Sequence, residues 1–308
     1  MKLFLHFALL LLAATCVFAE TNADEHEWKA TLKVVDENGV PVAGANAGVG
    51  FYTNSTPTSM DGTTDTNGIF TATHSALTDL NQLGFEVDKT GYYTTRMGCL
   101  LEPPYDPAKW NPTETLVLKK VGKPIAMYAR RVEQGPPVFN EPVGYDLMVG
   151  DWVAPNGKGI STDIIFTGKL DKKDRNDFDY KLTISFPKAD DGIQEFAVPD
   201  AEKGSGLRSP HEAPVNGYQT NVVKTMSHHP GQGAKDDMND PNRNYFFRVR
   251  TAKDHEGNIV SAHYGKIYGD FMQFTYYLNP TPNDRNIEFD PKQNLLGGLQ
   301  SFEQVSAP

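Results

Sequence analysis

Cysteine is almost absent from this 308-residue chain, which holds only Cys16 and Cys99. Cys16 lies in an N-terminal leader, so the mature chain keeps Cys99 alone and an intrachain disulfide is excluded. In Met97-Gly98-Cys99-Leu100-Leu101 that residue reads as a small buried apolar side chain rather than a reactive thiol. Basic charge is short as well: 29 Lys and Arg face 39 Asp and Glu, for a net charge of −10. With no basic patch, that balance argues against nucleic acid and anionic membrane surfaces as partners. Catalytic signatures are missing too. There is no HExxH, no His-x-x-Glu zinc pair, no GxSxG and no Gly-rich phosphate loop. Gly204-Ser205-Gly206 lacks the strand-to-helix elbow that would activate its serine. Paired carboxylates of the glycosidase kind stay open, because their separation is spatial. No stretch has the length and period of an ordinary helix, which sets aside the α/β enzyme folds.

The leader is clear. Met1-Lys2 is positive, Leu3 to Val17 is largely apolar, and Val17-Phe18-Ala19 before Glu20 suits cleavage. Residues 1–19 are therefore expected to be a signal peptide and the mature protein to be soluble, secreted or periplasmic. Lipidation at Cys16 would need a small residue before it, and Thr15 stands there. No second apolar run follows, so no membrane span is expected.

What the chain does contain is period-two alternation. Trp28, Ala30, Leu32 and Val34 alternate with Lys29, Thr31, Lys33 and Val35, the pattern of a strand with one buried face. Asp36-Glu37-Asn38-Gly39 reverses the chain, and Ala45, Ala47, Val49 and Phe51 share one side of a second strand. Gly44, Gly48 and Gly50 suggest a bulge or a close backbone approach there. Asp65-Thr66-Asn67-Gly68 repeats the turn before a strand at Ile69 to Thr73. Phe85 to Val87 and Thr115 to Leu118 read as further strands, and Ser75 to Leu83, closed by Gly84, as a short helical turn. Glu102 to Pro107 forms a rigid loop, and Asn54-Ser55-Thr56 fits a glycosylation acceptor.

These residues carry a resemblance. VVDENGVPVAGA, then TTDTNGIF and DKTGYYTT (88–95), resemble the carboxypeptidase-regulatory-like β-sandwich, a transthyretin-like relative of bacterial immunoglobulin-like modules. The resemblance implies a β-sandwich over 26–120 and no peptidase activity. NYFFRVRT, SAHYGKIYGDF and YYLNPTPNDRNIEFDP resemble a C-terminal region that accompanies such modules in exported bacterial proteins, with no activity implied.

Val121-Gly122-Lys123-Pro124 reads as the hinge to a second domain, 124–308. Tyr180, Leu182, Ile184 and Phe186 alternate cleanly, and Ile160 to Thr167 shares the habit. Tyr245 to Thr251 turns at Asp254 to Asn258 into Ile259 to Tyr264, a hairpin; Phe271 to Leu278 and Asn286 to Asp290 supply more strand. The fold class is thus all-β in two domains: an immunoglobulin/transthyretin-like sandwich, then a larger antiparallel sandwich or jelly-roll-like domain.

Residues 188–243 break the rhythm and read as a long irregular loop, with one strand at Tyr218 to Lys224. Its polar groups suggest a metal site from His211, His228, His229 and Asp236, against the plainer reading of solvated loop histidines. Asp171 to Asp179 reads as a solvated hairpin loop rather than a calcium site, being neutralised by Lys172, Lys173 and Arg175. Tyr264, Tyr268 and Tyr276 offer candidate stacking faces for a sugar, against a core role for the same rings. No cofactor is expected. The function read from all this is an exported, non-catalytic binding or adhesion protein for a glycan or cell-surface protein. A carbohydrate-active hydrolase in the second domain and a structural envelope component are the alternatives, and the oligomeric state is open.

Overall fold

The structure, a computed structural model, describes residues 26–53, 57–76, 80–101, 111–238, 240 and 242–308. The signal peptide, Cys16, the Asn54 acceptor and the Glu102–Pro107 loop lie outside them. Two all-β, sandwich-like domains follow one another, and the described residues contain no α-helix.

The first sandwich comprises β1 (His26–Asp36), β2 (Asn46–Thr53), β3 (Thr58–Thr63), β4 (Ile69–Ala76), β5 (Leu80–Asp88), β6 (Thr95–Leu100) and β7 (Thr113–Leu118). A three-stranded sheet in the order β4-β1-β7 faces a four-stranded sheet in the order β3-β2-β5-β6. Trp28, Leu32 and Val34 meet Val49, Phe51, Leu83 and Phe85 between them. Strands β1 and β2 thus sit in opposite sheets: the Asp36–Gly39 turn folds the chain back along β1, and it crosses the sandwich between Val42 and Asn46. Asp36 Oδ1 accepts the Asn38 and Val40 amides, while Gly39 takes the left-handed φ of 77° that closes the turn. Asp65 and Gly68 repeat the device. No bulge forms at Gly48 or Gly50; the Tyr52 ring lies over Gly50 and Gly84, where added Cβ atoms would meet it at 2.9 and 3.0 Å. The helical turn expected over 75–83 is strand at both ends, in β4 and β5, with 77–79 outside the described residues. Cys99 is half-buried at the margin of this core rather than inside it.

The second sandwich adds β8 (Ile125–Val132), β9 (Pro142–Asp146), β10 (Asp151–Trp152), β11 (Ile164–Asp174), β12 (Asp177–Ser185) and β13 (Gly192–Phe196). It continues through β14 (Asn221–His228), β15 (Lys235–Asp236), β16 (Asn244–Lys253), β17 (Ile259–Asp270), β18 (Gln273–Leu278) and β19 (Phe289–Asn294). One sheet runs β10-β9-β11-β12-β14-β15, the other β13-β16-β17-β18-β8-β19. The expected 245–264 hairpin is β16 and β17, with Arg248 opposite Tyr264. Ile160 does not join β11; it is 85% exposed. The stretch 188–243 is not one irregular loop, since it holds β13, β14, β15 and a 3-10 turn at Asp200–Glu202.

Burial on both faces distinguishes the second sheet. Its inner face gives Tyr245, Phe247, Ile267, Phe274 and Tyr276 to the inter-sheet core. Its outer face buries Phe246, Tyr264, Tyr268 and Tyr277 beneath Ala213, Ile287 and Phe289.

The domains are joined through side chains. Buried Glu288 accepts hydrogen bonds from Tyr93 Oη (2.5 Å) and from the Gly122 and Lys123 amides of the expected hinge (2.8 and 2.7 Å). The Gly206 amide donates to Thr94 O, and the Arg96 amide to Gly204 O, both at 2.9 Å.

Candidate functional site

A cleft of about 750 Å³ opens at one end of the second sandwich, where β8 ends and β17 turns into β18. Phe271 and Met272 make that turn, and Gly269, at φ 90°, lies in β17 just before it. Arg131, Glu133, Gln134, Arg208, Tyr268 and Asp270 line it, and Met238, Met272 and Phe274 supply apolar surface. The same Arg131, Glu133 and Gln134 border a second hollow of about 270 Å³ that reaches Trp152 and Phe302. These three residues separate the two hollows.

Asp270 is the chemically distinctive residue. Its Oδ1 accepts the Phe271 amide at 2.8 Å, while Oδ2 is wholly buried. Burial pushes its carboxyl up to about 6, although neighbouring amides and Arg243 pull it back. Arg208 lies with its guanidinium carbon 4.2 Å from the centre of the Tyr268 ring. The first domain holds Arg208 in place. Lys119, just past β7, is buried, pairs with Glu202 at 2.6 Å, and donates to the Arg208 and Ser209 carbonyls at 3.3 and 3.2 Å.

Behind Tyr268 sits Lys266, which is fully buried. Its Nζ lies 3.1 Å from Ser209 Oγ and over the Tyr277 and Tyr268 rings, at 4.7 and 5.0 Å. The Ser209 amide donates to Tyr268 Oη at 3.1 Å. Burial holds the Lys266 amine below its ordinary value. Ser209 is also fully buried, so this serine–lysine pair is walled off from solvent and belongs to the packing behind the cleft.

The sequence-derived site residues fare unevenly. Tyr264, Tyr268 and Tyr276 are 6%, 5% and 0% exposed, so none presents a free ring face to solvent. They are core residues because both faces of their sheet are covered. The four metal candidates do not converge. His211 stands at the domain junction, its Nδ1 3.2 Å from Glu288 and its Nε2 3.5 Å from Glu37. His229 lies at the β12–β14 edge with Nδ1 2.9 Å from Asp177 and Nε2 3.2 Å from Asp179. Two carboxylates against two ring nitrogens favour an imidazolium, which has no lone pair for a metal. The Asp177 hydrogen bond raises its pKa accordingly. His228 ends β14 beside Phe178, and Asp236 Oδ1 accepts the Met238 amide. Among the described residues no three His, Cys, Asp or Glu are arranged to hold a metal ion.

Sequence reasoning missed Arg208, Asp270 and Met238, since 208, 238 and 270 meet only through the fold. Lys266 left a faint trace: a lysine sharing a strand face with Tyr264 and Tyr268.

No family model matches this chain, and no curated protein matches it. Among solved structures it is similar to 3-chlorocatechol 1,2-dioxygenase from Rhodococcus opacus, at 16% identity over 33% of this chain and 62% of that one, with a TM-score of 0.26. A streptococcal ancillary pilin is 11% identical over 76% of this chain and 57% of its own, with a TM-score of 0.22. A shaft pilin from Lactobacillus rhamnosus GG is 11% identical over 79% and 94%, with a TM-score of 0.23. The chain thus spans less than two thirds of the dioxygenase and of the ancillary pilin. Likenesses this slight do not bear on activity, ligand or partner.

Proposed function

We propose that this is an exported, non-catalytic binding protein that takes an extended glycan in the groove of its second domain. The observation that carries the reading is the groove itself, lined by planar hydrogen-bonding side chains (Arg131, Gln134, Gln273, Asp270) beside an apolar wall of Met238, Met272 and Phe274. A glycan fits better than an extended peptide for a topological reason. Strands β8, β17 and β18 are interior to their sheet, so no free edge lines the cleft to pair with a peptide backbone. The first domain, proposed to be a carboxypeptidase-regulatory-like module, supports the groove by pinning Arg208 through Lys119.

One observation favours a second reading, a carbohydrate-active hydrolase. The raised Asp270 carboxyl shares its cleft with Glu133 and Asp240, the pairing of acid and carboxylate that glycosidic cleavage uses.

The test is retention of the purified protein on a panel of insoluble polysaccharides, with Gln273→Trp as the groove-blocking variant. Retention that soluble sugar competes away, and that Gln273→Trp loses, is expected. Retention unaffected by Gln273→Trp, or no retention on any matrix, overturns the groove. Release of soluble sugar that Asp270→Asn abolishes replaces the binding protein with the hydrolase.

A further inference from the structure

We propose that the groove selects glycans bearing a carboxylate, with Arg208 as the carboxylate receptor and Asp270 as the neighbouring hydroxyl partner; this rests on the glycan reading above. Arg208 makes no ion pair with any described residue, whereas Arg131 in the same cleft is engaged by Glu133 at 2.6 Å. Stacking on Tyr268 occupies the face of the guanidinium and leaves its edge, a planar fork of N–H donors, free for a planar two-oxygen acceptor.

The main chain that carries the fork is held before any ligand arrives. Lys119 bonds the Arg208 and Ser209 carbonyls, and the Ser209 amide bonds Tyr268 Oη, so receptor and platform are tied to one another. Little main-chain freedom remains to be lost there on binding.

Asp270 supplies the second point. It is 6% exposed and lines the same cleft, two residues on from Tyr268 in β17. A carboxylate bordering the cleft is an acceptor for a ligand hydroxyl. A carboxylated sugar offers both groups on one ring. Glu133 and Asp240 in the same cleft disfavour ligands of higher negative charge, such as phosphate esters.

The experiment is calorimetric titration of the full protein with a galacturonate trimer, a galactose trimer and a sulfated galactose trimer. Wild type is expected to bind the galacturonate trimer about tenfold or more tighter than the neutral one. Arg208→Gln is expected to bring acidic and neutral binding level with one another while the thermal midpoint holds, and Arg208→Lys to restore only part of the preference. Equal binding of acidic and neutral trimers, both lost in Gln273→Trp, overturns the carboxylate inference and leaves the groove standing. Binding of no trimer fails the groove itself. Preference for the sulfated trimer, or equal binding of an oligoglutamate peptide, also overturns the inference.

Discussion

Arg250 grips both carboxylate oxygens of Asp163, with Nε 2.7 Å from Oδ1 and Nη2 2.9 Å from Oδ2, and so ties the two sheets of the second sandwich together. Nη2 also reaches Asp146 Oδ1 at 3.1 Å. The reach depends on an unusual backbone: Arg250 has a left-handed φ of 56°, inside the irregular register between Val249 and Ala252. Asp191 compensates by accepting the Arg250 and Thr251 amides at 3.2 and 2.8 Å. Burial pushes the Asp163 carboxyl up, and Arg250 pulls it part of the way back.

Removing the guanidinium strands two buried carboxylates, so Arg250→Met is expected to cost about 3 kcal/mol. Urea unfolding of the variant against wild type measures it. A change within experimental error would mean that the pair is solvated and does not tie the sheets.

The domain junction is expected to loosen in acid. Burial by itself would raise the Glu288 carboxyl, but Tyr93 Oη, the Gly122 and Lys123 amides and His211 hold it below its ordinary 4.5. A depressed acid contributes stability above its unfolded value, and that stability is lost as pH falls through the lower folded value. Small-angle scattering from pH 7 to pH 3 should show the two sandwiches separating. Glu288→Gln should show the same loosening at pH 7. Gly204→Ala should too, because its Cβ would overlap Arg96 O at the docking contact. An unchanged radius in both variants would locate the junction's strength elsewhere.

Asp270 works in the opposite sense. Its folded value of about 6 lies above the ordinary 3.8, so the folded state holds the proton more tightly than the unfolded one. Stability is then greatest below the unfolded value and falls as pH rises through the window from about 4 to about 6. Asp270→Asn should flatten that part of the stability profile. An identical slope in both proteins would mean that Asp270 ionises freely in the fold.

Lys266 is buried with aromatic faces and Ser209 Oγ around its amine, and among the described residues no carboxylate closes an ion pair with it. Lys266→Met keeps the volume and removes the desolvation cost. Its stability should therefore equal or exceed that of wild type. A loss of about 2 kcal/mol or more would instead show that the caged cation stabilises the outer layer.

How far the fold was legible can be seen strand by strand. Trp28, Leu32 and Val34 alternate with wet neighbours because β1 has one buried and one solvated face, and β12 reads cleanly for the same reason. The aspartate–glycine turns at Asp36, Asp65 and Asp254 were equally plain, since each is a local hydrogen-bond device complete within five residues. Alternation fails where both faces are covered. In β16 to β18 it separates two sides without saying that the outer one is sealed, so Tyr264 and Tyr268 could be mistaken for an exposed platform.

The sequence by itself therefore determined the all-β class, the turns and the strands that carry a wet face, because these follow from backbone preference and local periodicity. Only the tertiary structure decided which aromatics are core, why His211 and His229 face carboxylates instead of a metal, and where a cleft opens. Those outcomes depend on residues such as Arg208, Met238 and Asp270, which lie far apart in the chain and meet through packing that no local pattern encodes.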